Sequence, residues 1–354
     1  MASEVTVRDC LIQRENSPMK GTRRWIYYFT LSLIMGIVFL YHWSSQASMK
    51  IWFSRTSDNN GTTAESISPY QGSPSQFFVE YPHPYRFILD EPDRCGQESP
   101  FLVVIIPVAP HNREARDIIR STWGGQTQVL GQLVTYYFIL GKSRADNNTE
   151  QPDEQILAES QDHHDILQSN FLDSYKNLTI KTMVMLEWLT SHCPKTSYAM
   201  KIDSDTFLNV HNLVEMLLKA PCRDYMTGLV ARDAIVLRDP SSKWFLSLDI
   251  FPEYSYPPYA LGLGYVFSLD LPNRILEASR HVKALYIEDV YVGLCMRHVG
   301  APLTDPPHNG LFIVNTPPEI NFCYLASVVA TLLKDSKQIL DVWKVYKTQP
   351  KAGC

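Results

Sequence analysis

The sequence predicts an α/β body with a mostly parallel central sheet. Two observations predict it: beyond Pro100, apolar strand-like runs alternate with helix-patterned segments, and two aspartates stand where one such run ends. Alternation of this kind marks βαβ units, in which a crossover helix returns the chain parallel to the preceding strand. FLVVIIPV (101–108) is a continuous apolar, β-branched run, as expected of a strand buried on both faces. The polar segment that follows, with Arg113, Arg116 and Arg120, reads as a helix. VTYYFIL (134–140) reads as a second strand and YAMKI (198–202) as a third. Between them, LTIKTMVMLEWLTSHC (178–193) reads as a helix with Leu178, Met185, Leu186 and Leu189 near one face. Ligands of open sheets bind at the carboxyl ends of the strands, and Asp203 and Asp205 follow such an end.

The chain has 354 residues, 45% of them hydrophobic, enough for one large domain or two small ones. Its formal charge is −5 and it contains no Lys/Arg run of the kind that binds nucleic acid. An anionic ligand would therefore need a local device.

Residues 25–43, WIYYFTLSLIMGIVFLYHW, contain no Asp, Glu, Lys or Arg. At about 1.5 Å per residue they cover roughly 28 Å, enough to cross a bilayer. Trp25, Tyr27 and Tyr28 lie at one end, Tyr41 and Trp43 at the other, and Arg23 and Arg24 precede them. Interfacial aromatics and a basic flank predict a signal-anchor with a cytosolic tail (1–24) and a lumenal body. The alternative, a cleaved signal peptide, has a shorter apolar core. Residues 44–95 are polar and rich in turn formers, with Pro69, Pro74, Pro82, Pro84 and Pro92, and read as a lumenal stem. The body is then 96–354.

Beyond the anchor lie Cys95, Cys193, Cys222, Cys295, Cys323 and Cys354, which allow three disulfides in an oxidising compartment. Without a CxxC pair, they do not suggest zinc. Asn60, Asn147 and Asn177 open N-x-S/T sequons, which fit the secretory route.

Two acid pairs carry the candidate chemistry. Asp203 and Asp205 repel each other unless a cation or proton compensates, and oxygen-only ligands suit Mn²⁺ or Mg²⁺ bridging to substrate phosphates. The bland reading is that one of them caps a helix starting near Asn209. Glu288 and Asp289 stand at an expected helix start, where the dipole favours acids; the functional reading is a general base. Arg113, Arg116 and Arg120 share one helical face, as a diphosphate clamp or as a salt-bridge face with Glu114 and Asp117. In YPPYALGLGYVFS (256–268), Gly262 and Gly264 would let backbone approach a sugar and Tyr256, Tyr259 and Tyr265 could stack on it. The alternative is strand-end packing.

REARDIIRSTWG, YYFILG, DILQSNFLDSYKNLTIKT, YAMKIDSDTFLNV, YPPYALGLGYVFS and IEDVYVGLC follow one another in that order. In these blocks the chain resembles the β-1,3-galactosyltransferases (glycosyltransferase family 31) from about residue 100 to the C-terminus, and the anchor and stem match as well. The resemblance implies a GT-A-type nucleotide-sugar-binding domain in a single-pass type II Golgi membrane enzyme. It implies that Asp205 ligates Mn²⁺, that Asp203 holds the ribose or a metal-bound water, and that Asp289 is the catalytic base with Glu288 in support. Arg113, Arg116 and Arg120 map beside the UDP pocket, and Gly262, Gly264 and Tyr265 onto the donor side. The implied reaction is an inverting displacement: galactose passes from UDP-galactose, in β-1,3 linkage, to a terminal GlcNAc or GalNAc of a glycoprotein or glycolipid.

Two positions depart from the pattern. Leu332, nine residues after Cys323, stands where the family commonly has a metal-holding histidine, with His308 the nearest substitute. Leu261 and Leu263 add bulk where the family has small residues. Two other readings therefore stand beside galactosyl transfer: a β-1,3-N-acetylglucosaminyltransferase using UDP-GlcNAc, and a catalytically silent lumenal partner or chaperone of related transferases. A homo- or hetero-oligomer with other transferases is expected under any of the three.

Overall fold

The computed structural model describes residues 77, 79–143, 153–348 and 354, all within one compact unit. In chain order the elements begin with β1 (Phe87–Leu89), α1 (Arg94–Glu98), β2 (Leu102–Pro107), α2 (Arg113–Ser121), β3 (Gln128–Val129) and β4 (Gln132–Lys142). There follow α3 (Glu154–His163), β5 (Ile166–Leu172), α4 (Leu178–His192), β6 (Tyr198–Ile202), β7 (Thr206–Leu208) and α5 (Val210–Leu217). β8 (Met226–Ala231), β9 (Tyr259–Ser268), α6 (Leu271–Ser279), α7 (Glu288–His298), β10 (Phe312–Ile313), α8 (Phe322–Ser327), β11 (Ala330–Leu332) and α9 (Gln338–Thr348) complete the chain.

The main sheet runs β1-β5-β4-β2-β6-β9-β8. Its centre, β5-β4-β2-β6, is parallel, and β1, β9 and β8 join antiparallel. The parallel centre bears out the expected α/β class, and the antiparallel flank makes the sheet mixed. β2 shows why the run 101–108 lacks alternation: Val103 and Ile105 enter one core, Leu102, Val104 and Ile106 the other. Helices α4, α6 and α7 pack on the first face and α2, α5 and α9 on the second. β7, β10 and β11 form a small second sheet.

Three expectations need correction. Helix α4 is not amphipathic, since Thr179–Leu186 are all buried, as are Trp188 and Leu189. It is a core helix wedged between the sheet and α6 and α7. β5 is absent from the sequence reading, because Gln168, Ser169 and Asn170 interrupt its apolar run. Gln168 is nevertheless buried and donates to the Gly141 carbonyl, and Ser169 donates to that of Arg86. Residues 79–95, read as stem, belong to the body: Val79 is buried, β1 pairs with β5, and the Trp188 indole donates to Asp90 at 2.6 Å.

Cys95 pairs with Cys193 and Cys323 with Cys354. Cys295 is a free, buried thiol, so the three disulfides allowed by six cysteines do not all form. The Asn177 side chain donates to the Leu172 carbonyl, a bond that a glycan there would disturb. Asn60, Asn147, the segment 25–43 and residues 44–76 lie outside the described residues. Among the described residues no helix is long and apolar enough to cross a membrane.

Candidate active site

β6 delivers Lys201, Asp203 and Asp205 to the carboxyl edge of the parallel strands. β9 runs antiparallel beside it, with Lys201 opposite Tyr265 and Ile202 opposite Gly264, so Gly262 reaches the same edge. Helix α7 then brings Glu288 and Asp289 in its first turn. These acids, far apart in sequence, converge on one buried cation. Lys201 Nζ donates to Asp203 Oδ1 at 2.6 Å and to the Gly262 carbonyl at 2.6 Å, and lies 3.7 Å from Glu288 Oε2. Burial alone would drive its proton off, but Asp203 and Glu288 outweigh burial and hold the ammonium charged.

Glu288 is almost wholly enclosed. Its Oε1 accepts from the Tyr265 hydroxyl at 2.5 Å and from Thr182 at 3.0 Å. Asp289 is less enclosed: Oδ2 accepts the Gly262 N–H at 3.0 Å and Oδ1 the Val290 N–H at 2.9 Å. Burial, then the Glu288 charge, pushes its carboxyl up to about 6. A carboxylate held near neutrality is suited to taking a proton.

The capping reading of the first acid pair is excluded, because the N-cap of α5 is Asn209, whose side chain accepts from Asn212. Asp205 Oδ1 is buried with no hydrogen-bond partner. Burial and the Asp203 charge push the Asp205 carboxyl up to about 6. An orphaned carboxylate oxygen beside a second acid is a fitting place for a cation. Among the described residues no cluster of three or more metal-ligating side chains forms. The Asp203–Asp205 pair would therefore need water and substrate oxygens to complete a coordination shell.

Other expected residues lie elsewhere. Tyr265 is buried under Glu288 and cannot stack on a sugar. Tyr256 is buried too, its ring edge-on to that of Tyr259. Gly264 faces Met200 and Ile202, where an added Cβ would come within 3.1 Å of the Met200 side chain, so its small size serves strand packing. Gly262 does face the site, between Asp289 and Lys201. Leu263 points into the core with Ile202 and Phe207, so its bulk does not enter the crevice. Leu332 pairs with Thr206 across β7 and β11. Its successor, Leu333, donates its N–H to the Asp205 carbonyl at 2.9 Å, which sets Leu332 directly beside the acid pair. His308 instead lines a cavity with Asn212, Glu215 and Tyr225, beside the amino-terminal end of β8.

The arginines form a structural network. Arg116 is buried; Nε and Nη2 donate to the two Glu159 oxygens at 2.7 Å each, and Nη1 to the Ala109 and Pro110 carbonyls. Arg120 pairs with Asp165 and Asp117, and Arg113 lies 3.4 Å from Asp117. Arg116 has four of its five donors engaged, so it is no clamp for a diphosphate; it fixes the turn that leaves β2. Sequence reasoning also missed Lys181, which is buried and donates to Val108 and Asp173 at the same sheet edge. It missed Lys201 as well, whose signal was a lone charge inside a buried strand.

The family model described as galactosyltransferase matches residues 114–307. The chain belongs to this galactosyltransferase family. β-1,3-galactosyltransferase 1 of Homo sapiens is 43% identical over 222 residues, covering 62% of this chain and 67% of the relative. The protein of that name from Mus musculus gives the same figures. β-1,3-galactosyltransferase 2 of Homo sapiens is 40% identical over 231 residues, covering 64% of this chain and 54% of the relative. The family implies a nucleotide-sugar donor and a glycan acceptor. In this member of the family, the matched region holds both acid pairs and the strand that links them, and it ends before Leu332.

Proposed function

We propose that the chain transfers galactose from UDP-galactose to the 3-hydroxyl of a terminal GlcNAc or GalNAc on a glycoprotein or glycolipid, inverting the anomeric carbon. Asp289 carries the reading: it sits at the sheet edge, is oriented by the Gly262 N–H, and is raised to about 6. The acceptor hydroxyl attacks the anomeric carbon, the bond to UDP breaks, and Asp289 takes the hydroxyl proton. Glu288, fixed by Tyr265 and Thr182, holds the first turn of α7 in register and raises the proton affinity of its neighbour. Lys201 ties Asp203 to the Gly262 carbonyl, so the acid pair and the base share one rigid edge.

Asp205 and Asp203 would hold a hard cation such as Mn²⁺ or Mg²⁺, which the unpartnered Asp205 oxygen fits. Such an ion supplies positive charge beside the diphosphate when bound. A second reading, a silent partner of active relatives, is favoured by Leu332, an apolar residue one position before the partner of the Asp205 carbonyl. The disulfides Cys95–Cys193 and Cys323–Cys354 fit an oxidising compartment, and we place the body in the Golgi lumen behind a type II anchor at residues 25–43.

The test is transfer by the purified body, offered UDP-galactose and UDP-GlcNAc with hexosaminide acceptors, in Mn²⁺ and in chelator. Galactose transfer that chelation removes is the expected result. A folded protein that turns over neither donor sinks the proposal in favour of the silent partner, and transfer of GlcNAc alone reassigns the donor.

A further inference from the structure

The loop between β8 and β9 carries exposed Trp244, and the turn before α4 carries exposed Tyr175; they are 46% and 48% accessible. Neighbouring large apolar side chains left in water mark binding surfaces. Both are held in place. The Tyr286 hydroxyl donates to the carbonyls of Lys243 and Phe245 at 2.9 and 2.8 Å, hooking the Trp244 loop two residues before Glu288. Arg238 donates to the carbonyls of Leu246, Phe251 and Glu253, bracing the rest of that loop. Tyr175 opens the turn into α4, which is pinned to the approach to α7 through Thr179 and Leu285 and through Thr182 and Glu288. Lys243 bridges the two rings, its Nζ 4.4 Å from the centre of Trp244 and 5.8 Å from that of Tyr175. The phenol of Tyr175 also lies in the field of Asp289, Asp203 and Glu288, which add to burial in raising it. Nothing in the transfer chemistry derived above uses these aromatics.

We propose that Tyr175 and Trp244, set on either side of Lys243, form the platform on which the acceptor hexose stacks beside Asp289. This rests on the functional reading above. A pyranose has one face of C–H groups, positively polarised, that packs on the negative face of an aromatic ring. Its hydroxyls then point along the platform, towards the base. A polar or aliphatic side chain at either position would give no such face.

The experiment measures binding and turnover separately. Methyl β-glycosides of GlcNAc and GalNAc are titrated into the purified body with saturating UDP and Mn²⁺, followed by saturation-transfer NMR, and UDP affinity is measured by calorimetry. Trp244→Ala and Tyr175→Ala should each weaken hexosaminide binding about tenfold, with UDP affinity within about twofold of the parent. Trp244→Phe, which keeps a ring, should recover most of the loss and show that the effect is not misfolding. Hexosaminide binding that survives both alanine variants overturns the platform, as does an equal loss of UDP affinity. A parent protein that binds neither glycoside overturns it too. If the parent binds glycoside but transfers nothing, the transfer reading falls and the platform stands.

Discussion

Lys201 and Asp203 are joined at 2.6 Å across the last residue of β6, with the ammonium buried and the carboxylate facing the crevice. The same ammonium meets the Gly262 carbonyl and approaches Glu288. One cation thus compensates acids from β6 and α7. Lys201→Met should leave Glu288 with a buried charge and no counter-ion, a loss on the order of 3 kcal/mol. For a domain of this size that is a fall in Tm on the order of 10 °C, measurable by differential scanning calorimetry. An unchanged melting point would show that Lys201 does not neutralise the cluster.

Asp289→Asn should remove the proton acceptor while leaving the Gly262 N–H an oxygen to donate to. Turnover should fall by roughly 10²–10⁴, and UDP should bind as before by calorimetry. Substantial retained turnover would remove Asp289 as the base.

The raised Asp289 carboxyl, at about 6, gives two pH effects with opposite consequences. Catalysis needs the ionised form, so kcat/KM should fall about tenfold per pH unit below that value. Stability runs the other way. The folded state holds the proton more tightly than the unfolded chain, so ionising Asp289 costs stability as pH rises from about 4 to about 6. Asp289→Asn should therefore raise Tm at about pH 7.5, and the gain should shrink as pH falls towards about 4. An activity limb well below about pH 5, or a variant equally shifted at both pH values, would contradict the assignment.

Much of this arrangement was legible in the residues, and the gaps have physical causes. YAMKI forms β6 to the residue, and its neighbours 101–108 and 134–140 form the core of β2 and β4, because buried parallel strands leave an unbroken β-branched run. β5 escaped notice since its buried polar side chains donate to main-chain carbonyls of Gly141 and Arg86, partners that only the fold supplies. The spacing of Arg113, Arg116 and Arg120 correctly predicts one helix face. It could not reveal that Glu159 of α3 and Asp165, just before β5, occupy the guanidinium groups of Arg116 and Arg120. Asp203, Asp205, Glu288 and Asp289 were legible as pairs, but not as a single cluster, because the antiparallel pairing of β9 that carries Gly262 between them is a long-range contact.

Leu332 gives the sharpest test of the acid pair. It lies opposite Thr206, and its successor's N–H donates to the Asp205 carbonyl, so position 332 is next in the chain to the residue paired with Asp205. A leucine there adds no metal ligand. Leu332→His would place an imidazole, a good ligand for first-row divalent ions, next to two carboxylates. Mn²⁺ affinity in the presence of UDP should then rise on the order of tenfold, one added ligand's worth, read by calorimetry independently of turnover. Activity at limiting Mn²⁺ should rise with it if Asp205 holds the ion. Asp205→Ala in the Leu332→His background should abolish the gain, since histidine alone is a weak site. A gain that persists without Asp205 would mean that the added histidine recruits metal elsewhere, and Asp205 would lose its assignment as the ligand.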